Sequence, residues 1–274
     1  MDPCSTNALP DPCSGVDLSV IAPCFNEEGN IDALADRMLA TFDARDIPAE
    51  LVLVDDGSSD GTWPCISRRA DSDPRVRGCR HAVNRGIVGG WHTGLEASAG
   101  RLVCLIDADL QNRPEDVARL YAAYAGGGCD IVQAVRRPAD GVRRLQLFSR
   151  GLNFLLNFAF RTRLRDNKSG FILCRRDVLA AILRHRYRYR YFQSFLGVSA
   201  VARGFTIREL DTTFEPRRHG QSFLSAFPLL VSARIVWELL KFRLESAAHR
   251  ATTAADDADW AVPALLADTA PGES

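Results

Sequence analysis

The sequence predicts an α/β domain with a mostly parallel central sheet flanked by helices. Three runs predict it: LSVIAPCFNEE (18–28), LVLVDDGSSDG (51–61) and LVCLIDADLQ (102–111). Each starts aliphatic and stops abruptly at acidic or polar residues. Each apolar run is too short for a helix and rich in β-branched residues, as expected of strands buried on both faces. A turn signal and an amphipathic stretch then follow, which is the order of strand, turn and helix in parallel sheets.

Element by element, the first strand is expected over Leu18 to Ala22 and ends at Pro23. A helix then begins at Asn26 or Glu27, with an apolar face of Ile31, Leu34 and Met38. The second strand, Leu51 to Val54, meets Asp55 and Asp56, and Gly57 to Gly61 supply the turn and the helix start. The third, Leu102 to Ile106, delivers Asp107 and Asp109, with a helix beginning near Pro114. Further on, IVQAVR reads as a strand ending at Arg136. Two amphipathic segments follow, 145–160 and 223–244, each combining large apolar residues with arginines or lysine. Both are suited either to pack on the sheet or to lie on a membrane surface. Residues 1–16 and 246–274 are expected to be disordered extensions around one domain over 17–245. No run reaches the roughly 18 apolar residues of a membrane span. Nor does Met1 to Gly15 have the basic start and apolar core of a signal peptide, so a cytoplasmic protein, peripheral on the membrane face, is expected.

Composition narrows the function classes. A chain of 274 residues with 46% hydrophobic content can bury one sizeable core. Its formal net charge of +0 argues against a general nucleic-acid binder. The basic residues are unevenly placed, however, and the stretch 136–190 holds many arginines, which suits anionic partners such as diphosphates, lipid phosphates or an acidic membrane surface. The eight cysteines form no C-x-x-C pair, so reduced structural thiols are expected.

Acidic residues at the carboxyl end of a buried strand need a counter-charge. Asp107 and Asp109 suit a hard divalent cation, Mg²⁺ or Mn²⁺, which one or two carboxylates hold together with water and substrate phosphates. Capping of the following helix would account for one aspartate but not for two.

Five segments occur in order: Pro23 to Glu27, Val54 to Ser58, Asp107 to Gln111, Ser169 to Phe171, and Arg217 to Ser222. Together they resemble the motifs of family 2 glycosyltransferases of GT-A fold, most closely the polyprenyl-phosphate group. The resemblance covers about 17–245. It implies that Pro23, Phe25 and Glu27 line a nucleobase pocket, where Phe25 can stack on the base. It also implies that Val54, Asp56, Asp107, Ala108, Gln193 and Ser222 contact the nucleotide-sugar donor, with Asp56 on the nucleoside and Asp107 near ribose and sugar. Asp109 and Gln111 match metal ligands. Arg136 and Arg217 match phosphate-binding arginines, and with Asp107 and Asp109 form the catalytic set. Arg136, Arg144 and Ser149 are expected to hold an acceptor phosphate. Three positions depart from the pattern, all on the acceptor side. Leu145 stands where the family has an arginine, with Arg144 beside it; Phe223 replaces a lysine; and no acidic residue follows Phe192-Gln193.

The implied activity is an inverting, metal-dependent transfer of a sugar, with GDP-mannose as expected donor, to a polyprenyl phosphate. A lipid phosphate is already an anion and needs no protein base. An alternative donor is UDP-glucose or a UDP-N-acetylhexosamine, with a hydroxyl acceptor; Asp166, Asp177 or Asp211 would then have to act as base. The five histidines read as surface or structural residues. A nucleotidyltransferase would usually carry a Gly-rich basic loop after the first strand, where this chain has Pro23-Cys-Phe-Asn-Glu-Glu. A non-catalytic nucleotide-binding protein would more often lack Asp109 or Gln111.

Overall fold

The computed structural model describes residues 15–138, 143–167, 169–184, 189, 192–216, 237–238 and 240–244. Seven strands form one sheet: β1 (Leu18–Cys24), β2 (Ala49–Asp55), β3 (Val76–Arg80), β4 (Leu102–Leu105), β5 (Ile131–Pro138), β6 (Ile172–Arg175) and β7 (Ile207–Phe214). Their spatial order is β3-β2-β1-β4-β6-β5-β7. All neighbours pair parallel except β6, which runs antiparallel to both β4 and β5. The helices are α1 (Glu28–Ala44), α2 (Thr62–Ser72), α3 (Gly86–Ala97), α4 (Asp116–Ala125), α5 (Arg143–Phe160), α6 (Arg176–Leu183) and α7 (Leu196–Ala202), with a 3-10 turn at Phe192–Phe195.

The aliphatic runs form strands because they bury both faces. Val20 and Leu53 lie in one core cluster with Ile31, Leu34 and Met38 of α1, while Ile21 and Val52 lie in the other with Trp91 of α3. Helix α3 sits close on β1. A Cβ at Gly90 would fall 2.7 Å from Cβ of Pro23, and one at Gly94 would collide with Ile21.

Several boundaries differ from the sequence expectation. β1 runs through Pro23 to Cys24, still in register with β2. Pairing of β1 with β4 ends at Ile21, and the Ile21 carbonyl accepts from the Ile106 N–H, so residue 23 faces a side where β4 has already turned away. A missing N–H costs nothing there. β4 stops at Leu105, and α4 begins at Asp116, two residues past Pro114.

Helix α5 extends over Arg143–Phe160, two residues further back than expected. Its Leu156 is buried, but Phe154 and Phe158 stack on each other at 6.4 Å and are 73% and 75% exposed. The segment expected to be helical over 223–244 is described only at 237–238 and 240–244, where it is helical. There Phe242 is buried against Phe160, Tyr189 and Phe192, while Trp237, Leu240 and Leu244 face outward. Among the described residues no helix is long and apolar enough to cross a membrane. The cysteines described are free, four of them buried, and burial pushes the Cys24, Cys104 and Cys174 thiols up, as expected of unreactive structural groups. Of the expected terminal extensions only Gly15 and Val16 are among the described residues.

Candidate functional site

The carboxyl ends of β1, β2, β4, β5 and β7 share one edge of the sheet. The register fixes their levels: Leu105 of β4 is opposite Ile172 of β6, and Ile172 is opposite Gln133 of β5. Arg136 therefore lies three residues beyond the end level of β4, alongside the Asp107–Asp109 turn. The β7 end closes on the same turn. Asn112 bridges to Phe214, and the Glu215 N–H donates to the Gln111 carbonyl at 2.8 Å.

Within that turn Leu110 has φ +60, a left-handed backbone that costs a buried, non-glycine residue of order 1 kcal/mol. It folds Gln111 back so that its N–H donates to Asp109 Oδ1 at 3.0 Å. The side-chain amide of Gln111 reaches the Glu215 carbonyl at 3.5 Å. Asp109 is only 6% exposed, Ala108 is buried beside it, and Asp107 is half-buried. Gln193, from the 3-10 turn, donates to Asp107 Oδ1 at 3.4 Å. Gly170 makes room for that amide, since a Cβ there would fall 2.8 Å from Gln193 Nε2. The Ser169-Gly170-Phe171 motif thus seats Gln193 against Asp107.

Arg136 is locked in a two-pronged pair with Asp166, Nε to Oδ2 at 2.7 Å and Nη2 to Oδ1 at 3.0 Å. Its side chain is 29% exposed and its guanidinium lies 5.5 Å from the Phe214 ring. Burial works to lower its proton affinity, but the Asp166 carboxylate, with Asp107 and Asp109 adding, outweighs burial and raises it. Arg136 thus stays a fixed cation beside the acidic turn. Buried Gln133 holds the loop that carries Asp166, its Nε2 donating to the carbonyls of Asp166 and Ser169, both at 3.1 Å.

On the β1–β2 side, Phe25 is 44% exposed just beyond β1, so it is no core aromatic. Asn26 ties this loop to the next: its N–H donates to Ser58 Oγ and its Oδ1 accepts from the Ser59 N–H, both at 2.9 Å. Glu27, half-buried, donates its N–H to Thr62 and accepts from Asn30 Nδ2. Pro23 is half-buried at the end of β1. Val54, by contrast, is wholly buried in the core, so its side chain serves packing. Asp56 is 3% exposed and accepts from His81, Arg85 N–H and Gly86 N–H, so any donor contact shares a carboxylate that already holds the start of α3.

Of the acceptor-side residues, Arg144 and Ser149 lie within α5, but their side chains are outside the described structure. Arg217 and Ser222 lie outside the described residues, after Pro216. The three carboxylates named as alternative bases are all paired with arginines: Asp166 with Arg136, Asp211 with Arg165 and Asp177 with Arg175. Asp177 follows Arg175, which is opposite Leu102 at the start of β4, so it lies at the other edge of the sheet. Sequence reasoning missed the buried roles of His81 and Gln133. His81 directly follows β3 as Asp56 follows β2, and that strand-end position was the one signal pointing to it.

A family model, Glycosyl transferase family 2, matches residues 19–183. The chain belongs to that family. It is 30% identical over 227 residues to undecaprenyl-phosphate 4-deoxy-4-formamido-L-arabinose transferase of Pectobacterium atrosepticum, covering 81% of this chain and 66% of that protein. It is 25% identical over 232 residues to dodecaprenyl-phosphate galacturonate synthase of Rhizobium johnstonii, covering 84% of this chain and 67% of that protein. The chain thus spans about two thirds of the length of these relatives. Among solved structures, glucosyl-3-phosphoglycerate synthase from Mycobacterium tuberculosis, in complex with Mn²⁺, uridine diphosphate and glucosyl-3-phosphoglycerate, superposes with TM-score 0.61 at 22% identity, over 85% of this chain and 81% of that chain. The fold is of GT-A type.

Proposed function

We propose that this family 2 glycosyltransferase moves a sugar from a nucleoside-diphosphate donor to a polyprenyl phosphate, with inversion at the anomeric carbon. The observation that carries the reading is the joining of Asp107, Asp109 and Gln111 with Arg136 at one sheet edge, while Asp166 and Asp211 on that side are both engaged by arginines. A carboxylate held by a guanidinium is a poor proton acceptor, which disfavours an acceptor that must be deprotonated. A phosphate acceptor arrives ionised. Its oxygen forms the new bond to the anomeric carbon as the bond to the donor diphosphate breaks, and the electron pair leaves with the nucleoside diphosphate.

The donor set fits a divalent cation. Two carboxylates and one amide oxygen on a single turn are hard ligands of the kind Mg²⁺ and Mn²⁺ take alongside substrate phosphates. Asp109 and Gln111 would hold it, with Asp107 beside them. Bound there, the cation would neutralise charge on the departing diphosphate. Phe25 offers a stacking face for the base. Gln193 orients Asp107, and Arg136, held in its pair with Asp166, presents positive charge to phosphate oxygens. The outward Phe154, Leu155 and Phe158 of α5, with exposed Arg161 and Arg163 beyond them, suit the surface of an anionic bilayer carrying the acceptor.

The donor sugar is the variable part of the proposal. The sequence resemblance favours GDP-mannose, whereas the relatives are named for a formamido-arabinose and for galacturonate. Incubation with GDP-mannose and a panel of UDP-sugars, Mg²⁺ or Mn²⁺, and either undecaprenyl phosphate or a simple alcohol tests both substrates. Glycosylated lipid phosphate is the expected product; transfer to the alcohol alone overturns the acceptor assignment.

A further inference from the structure

We propose that His81 is a positioning residue for donor binding, acting through Asp56 on the turn between β3 and α3. The proposal rests on the reading of this sheet edge as a nucleotide-sugar site. His81 is only 1% exposed and spans three elements. Its Nδ1 lies 2.7 Å from Asp56 Oδ1, beyond β2, and its Nε2 lies 2.8 Å from Thr93 Oγ1, on α3. A carboxylate only accepts, so Nδ1 donates to Asp56, while Nε2 pairs with the Thr93 hydroxyl. Both ring nitrogens are thus engaged.

Asp56 passes this constraint on. The same Oδ1 accepts from the Arg85 N–H at 2.7 Å, and Oδ2 accepts from the Gly86 N–H at 2.8 Å. The carboxylate therefore holds the first residues of α3, where negative charge is also favoured by the exposed N–H groups of a helix start. The turns of β2 and β3 press together: Gly57, at φ +74, lies so near Val83 that a Cβ would fall 2.8 Å from its carbonyl carbon. Helix α3 in turn rests on Pro23 through Gly90, and Pro23 precedes Phe25 by two residues. A shift at the start of α3 is thus transmitted to the strand end that presents Phe25. The imidazole fixes the wall of the donor side without touching donor.

Two amides separate the two bonds of the ring. In His81→Asn the amide nitrogen stands near Nδ1 and keeps the bond to Asp56. In His81→Gln the longer side chain reaches the Thr93 side and gives up that bond. Donor KM, kcat at saturating donor, titration of UDP and GDP with Mg²⁺ by calorimetry, and thermal melting are measured for wild type, both variants and Thr93→Val. His81→Gln is expected to raise donor KM and weaken nucleotide binding about tenfold, the factor equivalent to about 1.4 kcal/mol, with kcat within about twofold. His81→Asn is expected within about threefold of wild type, and Thr93→Val, which removes the partner of Nε2, to weaken binding about threefold with its melting temperature kept. Equal donor binding by wild type and His81→Gln overturns the proposal alone. So does a loss of kcat at unchanged KM, or melting that collapses in both His81 variants while Thr93→Val binds nucleotide as wild type does. Wild type that binds neither UDP nor GDP overturns the reading of the site, and this proposal with it.

Discussion

On the β1–β4 side of the sheet edge, carboxylates accept from backbone N–H groups, Asp55 from Ser58, Asp56 from Arg85 and Gly86, and Asp109 from Gln111, with Arg80 and His81 adding side-chain contacts to Asp55 and Asp56. On the β5–β7 side they are held by long arginine side chains, Asp166 by Arg136 and Asp211 by Arg165. Asp55 and Asp109 are anchored within their own turns, three and two residues along the chain, whereas Asp56 reaches Arg85 and Gly86, 29 and 30 residues on. Arginine pairs join segments 30 and 46 residues apart. Asp55 and Asp109 are thus readable from one short motif each, whereas Asp56, Asp166 and Asp211 depend on segments that only the fold brings together.

The comparison breaks first at Asp109. If the β4 turn is the cation site, Asp109→Asn should lower transfer by a factor on the order of 10³ or more while leaving the fold intact, because the change removes charge at the edge and no packing volume. Activity assays with EDTA and metal add-back, beside circular dichroism, check it. Full activity in EDTA or in the variant would sink the cation assignment.

On the other side, Asp166→Ala should release Arg136 from its fixed geometry and cost about 10- to 100-fold in turnover, since a displaced charged group loses alignment with its target. Asp177→Ala breaks an arginine pair of 2.9 Å at the opposite edge of the sheet and should leave turnover unchanged. Equal losses in the two variants would mean that Asp166 acts only through general stability.

How much of this was legible depends on what each residue's environment required. The strands over 18–22, 51–54 and 102–106 were readable to within two residues at each end, because short aliphatic runs that stop at polar residues suit strands buried on both faces. The two-pronged grip of Asp166 on Arg136 was not readable, because nothing in local spacing says that residues on β5 and on the loop before β6 meet. Nor was the left-handed Leu110, since a leucine carries no sign of positive φ. Helices α1 and α5 show the limit of periodicity. Both carry an apolar stripe, yet Ile31, Leu34 and Met38 are wholly buried while Phe154 and Phe158 face outward. Period reveals a stripe and leaves open what covers it.

That contrast gives a third test. Replacing Phe154 and Phe158 by Ser should leave the melting temperature nearly unchanged, because both rings are exposed, and should weaken sedimentation with anionic vesicles several-fold. Were the rings in a core, each change would cost about 3 to 5 kcal/mol and the variant would unfold. Unchanged sedimentation of a stable variant would remove α5 from the membrane surface.

The smallest effects sharpen the comparison through two glycines. Gly94 of α3 faces Ile21 so closely that a Cβ cannot fit without moving a core strand side chain, whereas nothing lies within 4 Å of the Cβ position of Gly151 in α5. Overpacking a filled core costs about 1 to 3 kcal/mol, while alanine for glycine in an open helical position gains about 0.5 to 1 kcal/mol from reduced backbone freedom in the unfolded chain. Gly94→Ala should therefore lower the melting temperature by several degrees, and Gly151→Ala should raise it by a few. Because Gly94 and Gly90 together set how α3 rests on the strand behind Phe25, the destabilised Gly94→Ala should also raise donor KM. Gly151→Ala should leave donor KM alone. The same sign of change in both variants would show that α3 and α5 are packed alike, and the difference in packing drawn between them would fall.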